Sequence, residues 1–134
     1  MSGRSGYSDG YGNEIFLYRG AVRRALLGKR GRQALLDMRD ALDAMPVKRL
    51  HEDELLTAEG QACALGALAA ARGKAIEIWK TNSEDHNAIA ELLDIAPSMA
   101  REIAFENDEC LGTPEQRWEY MRKWVDEALE GKVW

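Results

Sequence analysis

"AIAELLDIAPSMAREI", residues 88–103, decides how this chain is read. Two apolar segments at helical spacing flank "DIAPS", and a proline just inside the second segment suits a helix start. The spacing predicts one helix from about Glu84 to Leu93 and another from Pro97 to about Asn107. Ile89, Leu92, Ile95, Ala100 and Ile103 stand where a helix-turn-helix places its packing residues. Ala90 supplies the small residue at the crossing.

The charges oppose DNA reading. A recognition helix enters a groove lined with phosphates and draws most of its affinity from Lys and Arg. The solvent side is expected to show Ser98, Met99, Arg101, Glu102 and Glu106. Between Glu84 and Glu109 stand eight acids (Glu84, Asp85, Glu91, Asp94, Glu102, Glu106, Asp108, Glu109) against the single Arg101. The pair is therefore read as two packed helices with an acidic exterior. A DNA-binding regulator using residues 88–106 is kept as the alternative.

Downstream, "TPEQ" at 113–116 carries a capping box, with Thr113 as N-cap, Pro114 at N1 and Gln116 at N3. Trp118, Met121, Val125 and Ala128 form one apolar stripe, with Tyr120 and Trp124 beside it and Gly131 closing the helix. Arg122 and Lys123 are expected outside. Upstream, "QACALGALAAARG" (61–73) reads as a small-residue helix ending at Gly73 and sitting centrally. "KAIEIWK" alternates like a short extended connector. Residues 47–61 show no convincing period, and "AEG" at 58–60 suggests a turn, so a short hairpin is an option there.

Further upstream, Ile15, Tyr18, Val22, Ala25 and Leu26 make a helical stripe over about 14–27. Leu35, Met38, Leu42 and Met45 make a second, which ends before Pro46 because a residue preceding proline avoids the α conformation. Gly28 is placed as a C′ cap between them. The expectation is an all-α, single-domain bundle of about six helices over 14–134, containing the helix-turn-helix-like pair. A flexible glycine-rich arm precedes it at 1–13.

Composition agrees with a folded chain: 134 residues with 46% apolar content suit one globular domain. No apolar run approaches the roughly 20 residues needed to cross a bilayer, and "MSGRSGYSDGYGN" lacks the apolar centre of a secretory signal. The host-cell cytoplasm is the expected compartment. Cys63 and Cys110, far apart and beside apolar residues, read as free thiols. The net charge of −5 hides a dipole. Residues 1–50 hold ten Lys/Arg against five Asp/Glu, and residues 51–134 hold eight against eighteen.

Chemistry-bearing patterns are few. His51 in "HEDE" lacks the second histidine of a zinc helix, and His86 beside Glu84 and Asp85 has no ligand spacing. "GKRG" is not a phosphate loop, because it lacks the spacing and the preceding strand. No metal, cofactor or catalytic constellation is expected. Arg23, Arg24, Lys29, Arg30 and Arg32 do gather around one turn, where Gly31 opens a helix whose start favours anions. They are the first candidate partner-binding surface. Glu102, Glu106, Asp108 and Glu109 are the alternative, acidic one.

Several segments resemble a family of small uncharacterised proteins found in phages and prophages. They are "RSGYSD", "YRGAVRRALLGKRG", "ALDAMPVKRL", "CALGALAAARG", "IAPSMAREIAFENDE" and "TPEQRWEYMRKWV", which together cover most of the chain. The chain departs from the family pattern at Arg32 and in "KAIEIWKTNSEDH". The resemblance implies a phage origin and brings no catalytic residues. Small accessory phage proteins often bind host or defence proteins, so a non-catalytic protein binder is the first expectation. A virion or assembly component is a weaker alternative.

Overall fold

The computed structural model describes residues 12–132, with side chains from residue 14. The first eleven residues of the expected arm lie outside the described residues, and its last two already belong to the first helix. Seven helices follow in order: α1 (Gly12–Leu27), α2 (Lys29–Ala44), α3 (Ala64–Ala71), α4 (Ala75–Trp79), α5 (His86–Leu93), α6 (Pro97–Glu109) and α7 (Pro114–Leu129). Among the described residues there is no strand.

The core forms where the apolar stripes meet. Val22 and Leu26 of α1, Leu35, Met38 and Leu42 of α2, Ile89 and Leu93 of α5, and Met121, Val125 and Ala128 of α7 are all buried in one cluster. Each fully buried Leu, Ile or Met contributes roughly 1.5–3 kcal/mol of transfer free energy. α3 lies in the middle, against α2, α4 and α6, and buries Ala64 through Ala69 without a break. Only small side chains let neighbours close in on all sides. Gly66 shows the limit: a Cβ there would stand 1.7 Å from the Leu55 carbonyl oxygen.

Three local expectations are corrected. Gly28 is extended (φ −73°, ψ 169°) and serves as the N-cap of α2. α1 and α2 therefore share a one-residue elbow. Gly31 sits in the first turn of α2 and is required because a Cβ would meet the Ala25 carbonyl oxygen at 1.7 Å. "AIEIW" is the short helix α4, an addition to the six expected, in which Ile78 is buried and Ile76 exposed. Two isoleucines two apart point apart on a helix, as they would not on one face of a strand. The hairpin option reduces to a single antiparallel bridge, Leu56 to Ala62, around a turn with Gly60 at φ +83°.

α7 begins as expected: the Gln116 amide donates to Thr113 Oγ1 at 3.1 Å and the Thr113 amide to Gln116 Oε1 at 2.8 Å. Its buried face is rotated from the expected stripe. Trp124 and Arg117 are buried with Met121, Val125 and Ala128. Trp118 is half-buried, its Nε1 donating to the Leu42 carbonyl at 3.1 Å with Lys48 Nζ 5.6 Å above the ring. Arg122 is not idle either: it bonds Asp43 at 2.7 and 3.2 Å and Asp126 at 2.6 Å, tying α7 to α2. This pairing holds the Asp43 carboxyl below its ordinary pKa and raises that of Arg122.

Candidate functional site

The five cations of the α1–α2 elbow do not form one surface. Arg30 pairs with Asp94 at 3.0 Å, both side chains largely exposed. Arg32 Nη1 donates to the Leu129 carbonyl at 3.1 Å, so it caps the C-terminus of α7, where a cation is favoured. One residue thus faces α5 and the other α7. Arg23, Arg24 and Lys29 are exposed. Arg30 and Arg32 are thus already used within the fold.

The acidic surface is dismantled further. Glu102 and Glu106 are only 1% and 0% exposed. α6 is wedged between α1, α3, α5 and α7, so most of the face expected to meet solvent meets helices, and only Arg101 of that set is exposed. The Tyr18 hydroxyl donates to Glu102 Oε1 at 3.3 Å and the Tyr120 hydroxyl to Glu106 Oε1 at 2.6 Å. Met99, also expected outside, is fully buried. Asp108 Oδ1 accepts the Asp53 amide at 3.2 Å, steadying a non-glycine residue held at φ +66°. Glu109 is exposed. The turn of the α5–α6 pair is built as its sequence suggests. Asp85 caps α5 by accepting the Ala88 amide at 3.1 Å, and Asp94 ends it in the left-handed region.

The residues that sequence reasoning missed are buried polar pins. Asn107 Oδ1 accepts the Ala64 amide at 3.0 Å, capping α3, while its Nδ2 donates to the His51 carbonyl at 3.0 Å. Arg117 Nη1 donates to the Leu50 carbonyl at 3.1 Å and Nη2 to the Cys110 carbonyl at 2.9 Å, with Glu52 3.6 Å away. Arg72 at the end of α3 bonds Asp37 at 2.8 and 3.0 Å and the Leu93 carbonyl at 2.6 Å. The sequence signals for Asn107 and Arg117 are faint: polar residues at helix positions whose neighbours three and four residues away are apolar.

Two of these pins, Asn107 and Arg117, hold the His51 and Leu50 backbone beneath a concavity. An open groove of about 780 Å³ runs between the end of α2, the 46–62 segment and α3. Ala41, Ala44 and Met45 line one wall, and Ala67, Ala70 and Ala71 the other. Leu50, Leu56 and Ala62 form the floor, while Arg49 and His51 supply its polar edge. Arg49 is paired with Glu115 at 3.1 Å. Met45 is the one long side chain among these wall residues, and the other five are alanines.

The remaining reactive groups lie elsewhere. Cys63 is the N-cap of α3, its Sγ accepting the Gly66 amide at 3.4 Å; burial pushes its thiol up to about 11. Cys110 is half-buried, and both thiols are free. Burial, with Arg101 nearby, lowers the pKa of His86. Among the described residues no group of three or more His, Cys, Asp or Glu is placed to hold a metal ion. None of the described helices is long and apolar enough to cross a membrane. No protein family, curated protein or solved structure matches the chain.

Proposed function

We propose that this chain is a non-catalytic accessory protein of phage type that binds another protein, of host or phage origin. The groove between α2 and α3 receives an apolar segment of that partner. The shape of the groove carries this reading. Alanine methyls make up most of its helical walls, so the partner must bring the bulk, and large apolar side chains are the complement of such a slot. Its floor is held by Arg117 and Asn107, so little ordering cost is left to binding. Apolar concavities of this kind are open to solvent on few monomeric proteins without a purpose. The phage origin rests on the segment resemblance alone.

The DNA-binding alternative draws support only from the α5–α6 turn. Burial of Met99, Glu102 and Glu106 removes three of the five residues expected to face a groove; Arg101 alone stays exposed, and the remaining exposed acids repel phosphate.

The test uses a photo-crosslinking amino acid at Ala70, an exposed position on the rim, in cell lysate. Capture of one defined protein, lost when Ala44→Arg fills the slot without lowering the melting temperature, is the expected result. Equal capture from the same probe at exposed Lys123 would remove the groove as the site.

A further inference from the structure

We infer that two copies of this chain pair through the outward face of α1, crossing antiparallel at Gly20. The face is apolar where solvent should be. Phe16 and Leu17 are each 72% exposed and Leu27 51%. At 100° per residue, Phe16, Leu17, Gly20, Arg24 and Leu27 share one side of the helix, opposite buried Ile15, Val22 and Leu26.

Gly20 is the second, independent observation. Glycine is the least favourable helix residue after proline, so one in mid-helix needs a reason. Gly31 and Gly66 have theirs, since a Cβ at either would strike backbone at 1.7 Å. At Gly20 a Cβ would meet, among the described residues, only the movable Arg24 guanidinium, with Nη1 at 3.1 Å. Nothing described within the fold requires the glycine. A second backbone crossing at that point does, because small residues at a crossing let two helices approach closely.

One pair of positions about Gly20 is complementary, Phe16 with Arg24. In a two-fold antiparallel crossing centred there, residue 16 of each copy faces residue 24 of the other. Each Phe16 ring then receives an Arg24 guanidinium, a cation–π pair made twice. The two Arg24 groups sit at opposite ends of the crossing, roughly a Debye length apart, so their repulsion is screened at ordinary salt. α1 spans about 24 Å, and one helix pair of that length covers less than a standard-size interface. The dimer is accordingly weak and reversible, populated at high micromolar rather than nanomolar concentration.

Sedimentation equilibrium on the full chain, from about 5 to 500 µM, reads the pairing directly. Wild type is expected to move from monomer towards dimer across that range. Phe16→Arg sets two arginines face to face and should weaken association at least tenfold. The double variant Phe16→Arg with Arg24→Phe exchanges the partners and should restore it. Gly20→Leu should abolish association while the melting temperature of the dilute chain holds or rises, which separates loss of pairing from loss of folding. Wild type that stays monomeric to 500 µM overturns the inference, whether the face is covered by residues 1–11 or by a different protein. So does a Gly20→Leu variant that associates as well as wild type, or a swap that fails to recover.

Discussion

α1 and α6 are neighbouring helices that treat polarity in opposite ways. α6 carries Glu102 and Glu106 into the interior, whereas α1 carries Phe16 and Leu17 out to water. Neither choice follows from the residue's own preference. α6 is enclosed on several sides, and tyrosines from α1 and α7 wait at the places where its carboxylates arrive. α1 lies at the edge, so one of its faces meets no helix among the described residues. A carboxylate is tolerated inside when hydroxyl donors are built to receive it. A phenylalanine outside has no such compensation within the monomer, and that asymmetry makes α1 the more informative helix about partners.

The comparison breaks most visibly in stability. Met99→Ala on α6 should cost about 2–5 kcal/mol in urea unfolding, while Phe16→Ala on α1 should stay within about 0.5 kcal/mol in dilute solution. Similar losses would mean α1 is as enclosed as α6. Removing a buried acceptor comes next. Glu106→Ala leaves the Tyr120 hydroxyl facing an empty site and should cost about 1–3 kcal/mol, against nearly nothing for exposed Glu109→Ala.

Gly20→Ala should raise stability by about 0.5–1 kcal/mol, since the position takes a Cβ without backbone conflict. The same change at Gly31 should lower it. A loss at Gly20 would give that glycine an internal purpose and weaken the case for an external one.

The smallest effect is a pH dependence. Arg122 depresses the Asp43 pKa below 3.8. A depressed acid adds stability that is present above its unfolded pKa and is lost as pH falls through the folded one. Asp43→Asn should therefore lower stability at pH 7 by at most about 1 kcal/mol, the range for exposed pairs. The gap between the two melting curves should close as pH falls below the ordinary aspartate range.

The legible parts of the sequence were those governed by near neighbours in the chain. The capping box at Thr113, the stop before Pro46 and the turn after Leu93 depend on residues within four positions of one another. Their structures match. What stayed hidden depends on distant partners. Glu102 looked external because Tyr18, 84 positions away, cannot be anticipated from local spacing. Arg30 looked available for a partner because Asp94 is 64 positions off. "AIEIW" alternates over too few residues to separate a strand from one helical turn. The basic elbow was visible as composition, yet the divergence of Arg30 and Arg32 towards opposite helices was not. The groove left almost no trace, because alanines signal helix packing and not an empty space beside it.

The pins beneath the groove also set an order of events in time. The 46–62 stretch has almost no regular structure of its own, and its attachments span 55 residues to Asp108, 56 to Asn107 and 67 to Arg117. Closing loops of that length carries an entropy cost that local contacts cannot offset in advance. The groove floor is therefore expected to assemble last, after α6 and α7 have docked. Once assembled, its amides answer to the whole molecule. The Leu50 N–H, bonded to the Pro114 carbonyl at 3.0 Å, should exchange with deuterium as slowly as the core helices, although it belongs to an irregular segment. A slot built this way is absent from any half-folded chain, so only the finished protein presents it.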